Sequence, residues 1–140
     1  MQASSTKAPG QLYALVIGAV YLLVGVVGFF FVSEFTEGSA DDKFIIFRLN
    51  HLHNLVHIAL GVGWLAASRT AAAAKSVNTL FGVVLLLVAI LGFTGIDLVH
   101  TLLNITESTD PDNFLHLVTG GIALFFGTVG AAAAPRDATA

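Results

Sequence analysis

Leu12 to Val32 contains no Asp, Glu, Lys or Arg, and neither does Val77 to Ile96. A helix of that composition has no face to turn towards water, which argues against a soluble four-helix bundle. Each run also reaches the roughly 20 apolar residues needed to cross a bilayer's hydrocarbon core. Phe114 to Ala134 is a third such run. Leu55 to Ala67 is apolar but too short to cross alone, so it must recruit part of the preceding FIIFRLNHLHN, Phe44 to Asn54. The expected fold is therefore all-α: an integral membrane four-helix bundle with helices at 12–32, 46–67, 77–99 and 113–134.

Composition agrees. The 140 residues make one domain, 56% apolar and only 11% charged, where soluble domains carry roughly 25% charged residues. A formal net charge of −3 offers no basic face for phosphates, which argues against a nucleic-acid partner. Cysteine is absent, so disulfides, thiolate metal sites and cysteine nucleophiles are excluded. The first helix is expected to be a retained span, not a cleaved signal, between flexible tails at 1–10 and 135–140.

Charges at the ends of the runs suggest an orientation. Lys7, Arg69, Lys75 and Arg136 cluster at one end. Glu34, Glu37, Asp41, Asp42, Glu107, Asp110 and Asp112 lie at the other, with Lys43 and Arg48 as exceptions. By the positive-inside rule both termini are cytoplasmic and the two acidic connections face outward. The Ala71–Ala74 run is expected to extend the second helix.

The chain reads as two copies of one helical hairpin. Asn54 to Gly61 is NLVHIALG and Asn113 to Gly120 is NFLHLVTG, both Asn-x-x-His-x-x-x-Gly. Gly18, Gly25, Gly28 and Phe29 align with Gly82, Ala89, Gly92 and Phe93. These small residues share a helix face and let membrane helices approach closely.

All five histidines, His51, His53, His57, His100 and His116, belong to the acidic end. His53 and His57 share a helix face, as do Asn50, Asn54 and His57. Asp97 and His100 stand three apart. Paired histidines on facing helices can ligate haem iron or a transition metal. The candidate cofactor ligands are therefore His57 and His116 for haem b. For a metal they are His53, His57, His100 and His116 with Asp97. Asn50, Asn54 and Asn113 are read as structural polar residues, with an Asp112/Asn113 N-cap on the fourth helix. Two alternatives stay open: hydrogen bonds that tie hairpin ends together, and a proton relay. Depth is ambiguous, since counting from Arg69 puts His57 near mid-membrane and the match with His116 puts it higher. Asn104-Ile105-Thr106 is formally a glycosylation site. No nucleotide-binding loop, nucleophile elbow or zincin pattern occurs.

Asn50-x-x-His53-Asn54-Leu55-x-His57 with Gly61, and Asp112-Asn113-x-Leu115-His116-Leu117 with Gly120, resemble the bacterial family called domain of unknown function 4383. The resemblance covers nearly the whole chain. A Pro often stands in that family where this chain has His51, which makes His51 the least transferable histidine. The resemblance implies a small four-helix protein of the bacterial plasma membrane and adds no chemistry. The leading functional expectation is a non-enzymatic structural or accessory subunit that partners the lipid bilayer and other membrane subunits or itself. The alternatives are a haem- or metal-binding protein and a small solute or proton-coupled transporter using Asp97.

Overall fold

The computed structural model describes residues 6–129. The end of the expected fourth helix, Arg136 and the 135–140 tail lie outside the described residues. Among those described there are five helices and one two-stranded hairpin: α1 (Pro9–Gly28), β1 (Lys43–Phe44), β2 (Phe47–Arg48), α2 (His51–Ala67), α3 (Ala71–Thr94), α4 (Asp97–Leu103) and α5 (Pro111–Gly127).

The element boundaries follow local chemistry. Pro9 and Pro111 open α1 and α5, where a missing N–H costs nothing and the fixed φ already suits the helix. Asp110 occupies the N-cap position of α5, so the expected Asp112/Asn113 cap lies two to three residues too far along. The second helix begins at His51, not 46. Lys43 pairs with Arg48 and Phe44 with Phe47 across a turn at Ile45, where φ is 63°. Asn50, extended at φ −143°, then starts α2. The alanine run extends the third helix instead of the second. Thr70 breaks the chain at φ −133° and its hydroxyl accepts from the N–H of Ala73 at 3.1 Å. At the other end Gly95, in the left-handed region at φ 68°, stops α3, as glycine commonly does. Asp97 to Leu103 therefore forms a separate helix.

Two close helix pairs carry the packing. α1 runs antiparallel to α2: Gly18 lies against the backbone of Gly61 and Leu65, Gly25 against Asn54 and Ile58, and Gly28 against the Asn54 side chain. α3 runs antiparallel to α5: Gly82 lies against Gly120 and Leu124, and Gly92 against the Asn113 side chain. Between the pairs sit Trp64, Tyr21, Leu60, Leu85 and the alanines 14, 74 and 123. The Trp64 indole N–H donates to Asn78 Oδ1 at 3.0 Å, and Asn78 Nδ2 donates to the Gly10 carbonyl at 3.0 Å. Those bonds satisfy the polar atoms of the core at that level.

The distribution of polarity is the reverse of a soluble protein's. The outer faces carry exposed Leu12, Val16, Leu23, Leu80, Leu87, Ile90, Phe114, Val118 and Phe125. The interior holds buried Asn50, His53, Asn54, His57, Asn78, Asn113 and His116. α1 and α3 are both long and apolar enough to cross a membrane, and only 28% of the most apolar window of each is buried. A soluble core helix would be mostly covered.

Candidate functional site

The site lies at the end of the bundle where the hairpin, α4 and the loop before α5 meet. Its position is set by the connection between α1 and α2. Asp42 is the anchor there. Its Oδ2 accepts from the backbone N–H of Ser39 at 2.8 Å and from the Ser39 hydroxyl at 2.9 Å. Its Oδ1 accepts from the Ser33 N–H at 2.9 Å and the Ser33 hydroxyl at 3.2 Å. The Ser39 N–H foremost, with the other three donors, holds the Asp42 carboxyl below the usual carboxylate range against the opposing effect of burial. A depressed pKa contributes stability above the unfolded value, which is lost as pH falls through the folded one. The amide resonances of Ser33 and Ser39 should therefore stay unchanged from neutral pH down to about pH 4 and shift together only below it. Asp42→Asn should place them at altered positions at every pH.

Asn104 is the second anchor. It is fully buried, with φ 58°, and its Nδ2 donates to the Leu49 carbonyl at 3.0 Å and the Ser39 carbonyl at 3.3 Å. A glycan could not be attached to a side chain so enclosed, which removes the formal glycosylation site. Asn50 completes the frame. Its Oδ1 accepts from the His53 N–H at 2.7 Å, capping α2. Its Nδ2 donates to the carbonyls of Glu37 at 2.8 Å and Leu102 at 3.0 Å.

This frame brings His53 and His57 on α2 against His116 on α5. Ring centroids are 4.4 Å apart for His53–His57, 5.6 Å for His53–His116 and 6.2 Å for His57–His116. One potential ligand atom from each ring lies within 4.8 Å of the others, and all three residues are buried. His53 Nδ1 is 2.9 Å from the Leu103 carbonyl. A carbonyl only accepts, so Nδ1 carries the hydrogen and Nε2 keeps its lone pair. That Nε2 has no partner, nor has either nitrogen of His57, nor Nδ1 of His116. The space beside the rings is about 30 Å³, walled by Val84, Leu85 and Val88 of α3 and by Leu103. It suits an ion or a water molecule, whereas a macrocycle needs a pocket of several hundred Å³.

The positions of the two histidines along their helices can be compared. His57 stands six residues after the start of α2 and His116 five after the start of α5, or about 9 and 8 Å along their helices. The two are level, a little under the cap.

The other candidates fall elsewhere. Asp97 is exposed and His100 half-buried on α4, outside the cluster. His51 stacks on Phe29 with ring centroids 5.0 Å apart. Asn113 donates to the Glu107 carbonyl at 3.0 Å, whereas the buried amide of Asn54 has no partner. Asp112 is a buried carboxylate outside the histidine cluster that sequence patterns marked only as a helix cap. It is buried, its Oδ2 accepts from the Arg48 backbone N–H at 2.9 Å, and its Oδ1 is unpartnered. It sits one turn from His116 on the same face of α5, a spacing readable in the sequence. The Arg48 guanidinium turns outward to Asp110, with Nε 3.1 Å from Oδ1.

The family described as Domain of unknown function (DUF4383) matches residues 11–129. No curated protein and no solved structure matches the chain.

Proposed function

We propose that this chain, which belongs to the DUF4383 family, is a multi-pass membrane protein that holds one transition-metal ion between His53, His57 and His116. The observation that carries this reading is the convergence of three buried imidazoles, one potential ligand nitrogen from each within 4.8 Å of the others, on rings whose nitrogens are largely without hydrogen-bond partners. Each polar group left so costs about 1–3 kcal/mol, and an ion offered to the lone pairs would recover that cost. The bond from His53 Nδ1 to a backbone carbonyl supports the reading, because ligating histidines commonly fix their tautomer in this way. A purely structural role accounts for that one bond and leaves the lone pairs of the three rings without a partner. The volume beside the rings favours a bare ion over haem.

In this reading α2 and α5, 17 residues each and about 25 Å long, cross the membrane beside α1 and α3. The four form two related hairpins, each sealed by its glycine face. Lys7, Arg69 and Lys75 mark the cytoplasmic end of a bacterial plasma-membrane protein, which puts the histidines under the outer cap. The protein binds and does not turn over a substrate.

The test is metal content after purification in mild detergent from cells grown with zinc, copper, iron and nickel. About one equivalent is expected in the parent and in His100→Ala, whose histidine lies outside the cluster. His57→Gln and His116→Gln should each lose it while keeping the parent's helical circular dichroism. Substoichiometric metal in the parent, or equal metal in all four proteins, would overturn the proposal.

A further inference from the structure

We infer that the ion which fits this site is monovalent copper and not a divalent cation; the inference rests on the metal-binding reading above. Two independent features point this way, charge and donor number.

The ligand set contains three imidazoles and no carboxylate. Imidazole ligates as the neutral ring, so an ion seated there keeps its whole charge. The surroundings give little relief, since Val84, Leu85, Val88, Leu60 and Leu103 wall the space. The cost of taking an ion out of water rises with the square of its charge, so a divalent ion is penalised about fourfold more than a monovalent one of similar size. Imidazole is a good ligand for copper as well as for zinc; the charge term then separates them.

The donor count adds to this. Zinc held by three histidines completes its four-coordinate shell with a water molecule, which needs polar partners of its own. Here three nitrogens converge, and apart from the histidines the side chains lining the adjoining space of about 30 Å³ are all hydrocarbon, so a zinc-bound water would find no side-chain partner there. Cuprous copper accepts three donors in a plane, so it needs nothing from that wall. Of the two buried carboxylates at this end of α5, Asp110 is paired with Arg48, while Asp112, on the His116 face, is the one that could restore a divalent site. Its Oδ1 is unpartnered, but its Oδ2 is held by the Arg48 N–H at 2.9 Å and it is not among the groups that converge. Asp112 is thus the residue that decides between the two ions.

The experiment titrates the purified full-length chain anaerobically with the cuprous–bicinchoninate complex, following its colour. In parallel it competes zinc from 4-(2-pyridylazo)resorcinol. Parent, Asp112→Asn and His57→Gln are compared, each checked for helical content. One equivalent of cuprous ion should bind on the order of 100-fold more tightly than zinc. Asp112→Asn should leave the cuprous affinity within about threefold of the parent, and His57→Gln should abolish binding. Zinc bound as tightly as cuprous ion, or zinc binding that collapses in Asp112→Asn, would overturn the inference and leave the metal site standing as a divalent one with four donors. Failure of both ions to bind the folded parent would overturn the metal-binding reading itself.

Discussion

Gly61→Leu and Gly82→Leu should each cost about 3 kcal/mol or more of stability in detergent, whereas Gly121→Leu should change it by less than about 0.5 kcal/mol. The three glycines are all helical and all look alike as letters. What separates them is what a Cβ would meet. At Gly61 it would stand 2.5 Å from the Leu22 backbone nitrogen and 2.8 Å from the Gly18 carbonyl oxygen. At Gly82 it would stand 2.7 Å from the Leu124 nitrogen and 2.9 Å from the Gly120 oxygen. Backbone atoms in the middle of a helix cannot swing aside, so the helices must separate along their length. At Gly121 nothing lies within 4 Å. In a bilayer the loss is compounded, because close van der Waals contact is the main force holding helices together where no hydrophobic drive exists between them. Equilibrium unfolding in mixed micelles measures the three directly. Equal effects at all three positions would show that the contacts do not hold the pairs together.

Asn50→Ala should lower stability by about 2–4 kcal/mol: roughly 1 from the lost cap and the rest from two stranded carbonyls. Asn50 is fully buried and serves α2, the α1–α2 connection and the end of α4 at once, through the His53 N–H, the Glu37 carbonyl and the Leu102 carbonyl. Its amide is the right length to cap with the oxygen and reach outward with the nitrogen. Serine can cap but cannot reach, so Asn50→Ser should recover only about 1 kcal/mol of the loss. Recovery to the parent value would show that the two carbonyl bonds contribute nothing. Because Asn50 also fixes the first turn of α2, the proposed metal site predicts that Asn50→Ala weakens metal binding at His53 even where the protein stays folded. Metal titration at a temperature well below unfolding separates that effect from global stability.

The helices were readable because a charge-free run has few ways to satisfy its backbone. Their ends were less so. Residues 44–48 look like a helix lead-in by hydropathy, yet Asp42 and Asn104 hold the neighbouring backbone and the chain turns at Ile45. The third helix was expected to run on through Asp97 to residue 99, with His100 at its end. Gly95 ends it, a stop signal present in the sequence that the surrounding apolar residues outweighed. That one break explains why Asp97 and His100 miss the cluster: α4 presents the Leu103 carbonyl to His53 and leaves its own ionisable side chains outside.

His57 and His116 stood out in the sequence because each occupies the same place in an Asn-x-x-His-x-x-x-Gly segment, and His53 because it shares a face with His57. Helical spacing decides such matters within one element, since residues four apart must lie together. Spacing carries no information about which element's end meets another's. That His53 joins the pair while His100 does not, and that Asp112 is a buried carboxylate nearby along α5, depends on how the cap folds over the bundle. Asn50, Asn104 and Asp42 set that fold through hydrogen bonds to carbonyls and amides distant in the chain. The sequence by itself determined the apolar helices, their glycine faces and the two histidines at equivalent positions, because those follow from burial and helical periodicity. Only the tertiary structure decided that a third histidine joins them, that a buried carboxylate lies nearby and that a small space adjoins the rings, because those come from contacts between segments that no local pattern links.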